Sequence, residues 1–148
     1  MSVRQKWQGT KPLKFTTDEA IQLILPILKS DRRIWAAYLF GSRTRKREPQ
    51  TPVESDIDIA VYTSNDFTWD DYYLLYGDLS KSLHSNRLDV IWMNKAEPIL
   101  SFEVIKNSKV LFFCDADTLN EFELKIKKRY YDYIMYLNKH RRQREIGL

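Results

Sequence analysis

The stretch "YLFGSRTRKREPQTPVESDIDIAVYT", residues 38–63, decides the fold. It opens as an apolar run, breaks at Gly41-Ser42, crosses a polar loop with two prolines and a basic cluster, and re-enters an apolar run through Asp56-Ile57-Asp58. The flanking segments "IWAAYLF" (34–40) and "DIDIAVYT" (56–63) are short and rich in β-branched and aromatic side chains. That composition predicts two strands. They lie too close in sequence for a helical crossover, so the sheet they enter is mixed rather than wholly parallel. The connection, residues 41–55, is long for a compact domain and itself hints at function.

Working outward, "TTDEAIQLILPILKS" begins with Thr16 as a cap and Glu19 three residues on, then sets Ala20, Ile21, Ile24, Ile27 and Leu28 at helical spacing. Pro26 either kinks that helix or marks its last turns. "TWDDYYLLYGDLSKSL" reads as a second helix, capped by Thr68 with Asp71 at the third position. "RLDVIWM" (87–93) is a third strand, a short helix covers about Pro98 to Lys106, and "KVLFF" is a fourth strand. The last 30 residues form a long helix with Leu119, Phe122, Ile126, Tyr130, Tyr133, Ile134 and Leu137 as its apolar stripe. The order predicts an α/β (α+β) fold, a small mixed sheet flanked by helices. We read residues 1–148 as a single domain with a core over about 17–114 and a C-terminal helix over about 117–144.

Composition is that of an ordinary soluble domain, at 43% hydrophobic and 30% charged. No apolar run approaches the roughly 20 residues of a membrane span, and the polar start "MSVRQKWQGTKPLKF" has no signal-peptide pattern, so the expected location is the cytoplasm. The single Cys114 ends the run "KVLFFC" and is expected to be a buried core thiol. The net charge of +4 is unevenly spread: from Lys125 onward eight Lys/Arg face two acids, whereas the first 124 residues carry 16 bases and 18 acids. That basic end suits either a solvated helix face or an acidic partner. Its four tyrosines, Tyr130, Tyr131, Tyr133 and Tyr136, read as core packing and protein interface ahead of base stacking, so direct nucleic-acid binding is not expected. His84 and His140 fall in predicted helices without a second ligand at useful spacing and belong to the surface.

The two acids of the quoted stretch carry the chemistry. Side chains alternate along a strand, so Asp56 and Asp58 share one face while Ile57, Ile59 and Val61 share the other. In "RLDVIWM", Asp89 points away from Leu88, Val90 and Trp92. If these strands are neighbours, three carboxylates converge. Two such charges ~4 Å apart repel by about 4 kcal/mol at an effective dielectric near 20, so the cluster needs protons, arginines or metal. All-oxygen ligation favours Mg²⁺ or Mn²⁺. Asp56 as a strand-start turn residue and Asp89 as an ion pair with Arg87 are the plainer alternatives. Gly41 is the one glycine of four at a strand end opening into a loop. There its amide and that of Ser42 can reach a phosphate, with the Ser42 hydroxyl and Arg43, Arg45, Lys46 and Arg47 beside them. The alternatives are a turn serine and a solvated basic loop.

"GS", then "DID" on the next strand, then "LDV" some thirty residues later, resembles the nucleotidyltransferase superfamily of DNA polymerase beta. The size and the run "RLDVIWMNKAEPILSFEVIKNSKVLFF" are similar to its minimal members, the MNT-domain antitoxins paired with HEPN-domain toxins, over roughly residues 20 to 130. The resemblance implies a polymerase-beta-like fold. It implies that Gly41, Ser42 and Arg43 bind the triphosphate of ATP, that Asp56 and Asp58 hold two Mg²⁺ ions, and that Asp89 completes one metal site and helps activate the nucleophile. It also implies transfer of AMP to a tyrosine of a HEPN RNase toxin, silencing it. Two other functions stay open: neutralisation by contact alone, suggested by the basic, tyrosine-rich last helix, and nucleotidyl transfer to a small-molecule hydroxyl, for which little chain remains to shape an acceptor pocket. Homo-oligomerisation also stays open. No Arg-x4–6-His element of the HEPN RNase kind occurs in the chain.

Overall fold

The computed structural model describes residues 15–41 and 56–145. Their elements run α1 (Thr17–Ser30), β1 (Ile34–Phe40), β2 (Ile57–Thr63), α2 (Trp69–Leu83), β3 (Leu88–Trp92), a 3-10 turn (Met93–Lys95), α3 (Pro98–Asn107), β4 (Lys109–Phe113) and α4 (Ala116–Glu145). The strands form one sheet in the order β3-β2-β1-β4. β1 runs antiparallel to both β2 and β4, whereas β2 and β3 are parallel and joined through α2. The sheet is mixed, as the short β1–β2 separation requires.

Local chemistry fixes the helix starts. The Thr16 hydroxyl accepts from the Glu19 amide, and Thr68 with Asp71 makes a reciprocal capping box at α2. Pro26 lies in the last turns of α1, and Pro98 occupies the first turn of α3, where its missing N–H costs nothing. At the end of α2, His84 is not helical: it caps the C-terminus in the left-handed conformation, φ 50°, with its amide donating to the Lys81 carbonyl.

Alternation along the strands divides the core in two. Ile57, Ile59 and Val61 of β2 with Leu88 and Val90 of β3 face α1 and α2, meeting Ile24, Leu28, Leu75 and Leu79. Ala36 and Tyr38 of β1 with Ala60 of β2 face α3 and α4, meeting Val104, Phe122 and Ile126. Each central strand is thus covered on both faces, which explains the nearly unbroken apolar runs of β1 and β2. β4 is the edge. Only its Leu111 and Phe112 are partly buried, and the residue that follows, Cys114, is exposed. The expectation of a buried thiol is therefore corrected. The Cys114 amide still donates to the Trp35 carbonyl, but among the described residues the strand has no outer neighbour, and the Cys114 side chain meets solvent.

Candidate functional site

Three strand ends meet at one end of the sheet: the C-terminal end of β1 and the N-terminal ends of β2 and β3. This is the geometric result of an antiparallel β1–β2 pair beside a parallel β2–β3 pair. The register places Asp58 opposite Phe40 on one side and opposite Asp89 on the other. Facing residues of neighbouring strands project to the same side, so the Asp58 and Asp89 carboxylates leave the sheet together, at the same height. Both are half-buried between fully buried neighbours: Ile57 and Ile59 in β2, Leu88 and Val90 in β3. Asp56 precedes β2 by one residue, two before Asp58, and is also half-buried at the mouth of the strand.

The loop before β3 is held as firmly as the strands. The Tyr76 hydroxyl donates to the Asn86 carbonyl, the Arg87 amide donates to the buried Ser85 hydroxyl, and the Ile57 amide donates to the Arg87 carbonyl. That last bond ties the start of β2 to the residue before β3 and sets the Asp58–Asp89 register. Behind the sheet, the Tyr72 hydroxyl donates to the Val90 carbonyl at 2.7 Å. Burial, with the Asp89 carboxylate adding to it, pushes the Tyr72 phenol up to about 12. Tyr72 therefore stays a neutral donor that props β3 beside Asp89. Nothing in the sequence pattern around Asp89 pointed to this residue, which lies on α2 and far from Asp89 in the chain.

Gly41 follows β1 directly, with φ +82°. A Cβ built there would overlap the Asp58 carboxylate oxygen Oδ2. The left-handed backbone favours glycine, and a side chain here would have to displace the Asp58 carboxylate. Gly41, Asp58 and Asp89 are thus brought together, with Asp56 alongside. Ser42 and Arg43, with the basic loop to residue 55, lie outside the described residues. Among the described residues no three Asp, Glu, His or Cys side chains are gathered closely enough to hold a metal ion as they stand. The backbone juxtaposes the three acids; it does not preassemble a cage. As donors they fit a hard divalent cation, being all oxygen. A site of this kind can neutralise phosphate charge from one side while backbone amides approach from the other.

Residues 22–117 match the family model described as Polymerase beta, Nucleotidyltransferase. None of the curated proteins matches the chain by sequence. Among solved structures the chain is similar to one of tri-AMPylated Shewanella oneidensis HEPN toxin in complex with MNT antitoxin, with TM-score 0.64 and 20% identity over 88% of this chain and 98% of that one. It is similar to a toxin–antitoxin structure with AMP-PNP, with TM-score 0.63 and 23% identity over 86% of this chain and 98% of that one. A third is an MntA–HepT toxin–antitoxin structure, with TM-score 0.59 and 19% identity over 88% of this chain and 97% of that one. At these identities the likeness is one of fold.

Proposed function

We propose, from the premise that this chain belongs to the polymerase beta nucleotidyltransferase family, that it is the antitoxin of a pair with a HEPN-domain toxin and transfers AMP from ATP to a tyrosine of that toxin. The observation that carries the reading is the Asp58–Asp89 pair, level across two parallel strands and adjacent to a glycine where a side chain would have to displace the Asp58 carboxylate. The choice of partner rests on the similar structures, which are toxin–antitoxin complexes, one with AMPylated toxin and one with AMP-PNP. The cytoplasm is the proposed place of action.

In this reading Asp56, Asp58 and Asp89 hold two Mg²⁺ ions, with Mn²⁺ able to substitute. When bound, such ions lower the pKa of an attacking hydroxyl and offset the charge of departing pyrophosphate. The Gly41 amide, the Ser42 amide and hydroxyl, and the Arg43 guanidinium grip the triphosphate and orient it. Asp89, beside Asp58 but on the far strand, faces the incoming tyrosine and draws its proton as the tyrosine oxygen bonds to the α-phosphorus. The bond from that phosphorus to the β-phosphate bridging oxygen breaks, and pyrophosphate leaves. With glycine at position 41, no side chain from that position covers Asp58.

The test is transfer of radiolabel from α-labelled ATP to purified cognate toxin in the presence of Mg²⁺. Asp58→Ala and Asp89→Ala should each abolish labelling with the circular dichroism spectrum unchanged. Absence of labelling by the natural chain would sink the proposal. A second reading, neutralisation by contact, is favoured by the exposed Tyr131, Met135 and Tyr136 on the last helix. Full neutralisation by a variant carrying Asp56→Ala, Asp58→Ala and Asp89→Ala together would select it.

A further inference from the structure

At the opposite end of the sheet, about 13 Å along β2 from Asp58, a concavity of about 240 Å³ opens between the strand ends and α4. Tyr62 lies on the same strand face as Asp58, and its ring stacks on Phe122 of α4 at 3.5 Å between centroids. Buried Trp92, Met93, Phe122 and Ile126 make an apolar floor. The rim is cationic, with Lys95 from the 3-10 turn and Lys125 and Arg129 from α4. No Asp or Glu lines the cavity among the described residues. Two acids lie near without lining it. Asp66 accepts from the Ser64 hydroxyl, and the Glu121 carboxylate acts on the Tyr62 phenol. Among the described residues, the salt bridges of Arg33 with Asp31 and Asp71 lie elsewhere and do not reach Lys95, Lys125 or Arg129.

This wall is built rather than loose. The Trp92 indole Nε1 donates to the buried Thr63 hydroxyl at 2.9 Å. The Asn94 amide exchanges two bonds with the Thr63 backbone, accepting from its N–H at 2.9 Å and donating to its carbonyl at 2.8 Å. Lys95 Nζ stands 5.5 Å from the Trp92 ring centroid, within cation–π range, and the turn beneath it is fixed by Asn94. Lys125 and Arg129 are one helical turn apart, a like-charge spacing that costs helix stability unless an anion bridges them.

We propose that this concavity is a second ligand site and that it takes one nucleoside monophosphate unit. The phosphate sits on Lys95, Lys125 and Arg129, and the base lies over the apolar floor. Three cations on one rim match a phosphate better than a carboxylate, and Arg129 offers it a planar fork. The floor of Trp92, Phe122 and Ile126 requires an apolar body that inorganic phosphate lacks. The volume lies below the roughly 300–1,000 Å³ of drug-sized pockets, which limits the occupant to one unit. Two sources present that chemistry: a free mononucleotide, or the 5′-terminal nucleotide of an RNA strand. The assignment holds whether or not the chain transfers AMP.

The full chain labelled with 5-fluorotryptophan, its Trp92 resonance assigned through Trp92→Phe, is titrated with AMP in EDTA. The fluorine signal of Trp92 should shift and saturate, and should do so unchanged in Asp58→Asn. Lys125→Glu with Arg129→Glu should weaken the AMP response by about tenfold or more, and the milder Lys125→Gln with Arg129→Gln keeps the test valid if charge reversal disturbs α4. An unmoved Trp92 signal, a response that survives both double variants, or equal affinity for inorganic phosphate would each overturn the assignment. A 5′-phosphorylated pentaadenylate that shifts the same signal at lower concentration than AMP supports the site with an RNA end as source. A weaker response than to AMP supports it with the free mononucleotide.

Discussion

Gly41 is the residue on which the candidate site closes most tightly. Its positive φ and its contact with the Asp58 carboxylate act in the same direction, so Gly41→Ala adds backbone strain and displaces an acid at once. The left-handed conformation alone costs about 1–2 kcal/mol for a residue with a Cβ. Chemical denaturation should register that loss, and AMP transfer should fall further, by about 10²-fold, because a shift of roughly 1 Å at a reacting group is felt on that scale. His84 offers the opposite sign. It already occupies the left-handed region at the end of α2, so His84→Gly removes strain and should raise stability by about 0.5–1 kcal/mol in the same assay. The acids were legible in the sequence because strand alternation is strict: Asp56, Asp58 and Asp89 interrupt apolar runs at positions that only one face can hold. Cys114 was not legible. Its apolar run is that of a strand, and whether a strand lies at the centre or the edge of a sheet is decided by partners far away in the chain.

The elements themselves were readable where local chemistry fixes them. Thr16 and Thr68 announce α1 and α2, and each helix begins one residue later. Thr68→Ala, which deletes the hydroxyl that accepts from the Asp71 amide, should cost about 1 kcal/mol of unfolding free energy. The link between elements was not readable, since it joins residues far apart in sequence. Arg33, before β1, donates to Asp71 at 2.8 Å and to Asp31 at 2.9 Å, and its guanidinium lies 5.3 Å from the Phe67 ring centroid. It pins the start of β1 to the start of α2. Bonds from the Thr68 backbone and hydroxyl, with Arg33 adding to them, hold the Asp71 carboxyl below the ordinary carboxylate range. The Arg33 side chain does the same for Asp31. A carboxyl whose pKa is lower in the folded chain than in the unfolded chain stabilises at neutral pH, and that stabilisation is lost as pH falls through the folded value. Unfolding free energy should therefore decline below about pH 4. Asp71→Asn should flatten the decline in a pH series of denaturation curves, and an unchanged slope would show that these bonds do not set it.

Across the whole molecule, the length of α4 is out of proportion to the sheet it covers. Thirty helical residues extend about 45 Å, whereas a seven-residue strand extends about 23 Å. Packing against the body uses the first half: Phe122 and Ile126 are buried, and the Tyr130 ring stacks on Phe102 of α3 at 3.8 Å. Beyond it the apolar stripe read from the sequence continues through Tyr133 and Leu137, both exposed, and beside that stripe Tyr131, Met135 and Tyr136 are 57%, 69% and 58% exposed. The periodicity was legible, and the exposure of its far half was not, because an amphipathic stripe looks the same whether its partner is the same chain or another. Large exposed apolar side chains on one helix, set among Lys139, Arg141 and Arg142, suit a partner surface that is apolar at its centre and acidic around it. Under the proposed function that partner is the toxin. Met135→Glu with Tyr136→Glu removes apolar area that is mostly exposed, so the free protein should keep its stability within about 0.5 kcal/mol. Co-purification with the toxin should nevertheless be lost, since two acids would stand where an apolar contact belongs. If the double variant still co-purifies stoichiometrically, docking occurs elsewhere and the overhanging half of α4 serves another purpose. If it fails to bind but still labels toxin supplied at high concentration, the helix supplies affinity while the acids at the end of the sheet supply the chemistry, and the two readings of this protein become parts of one.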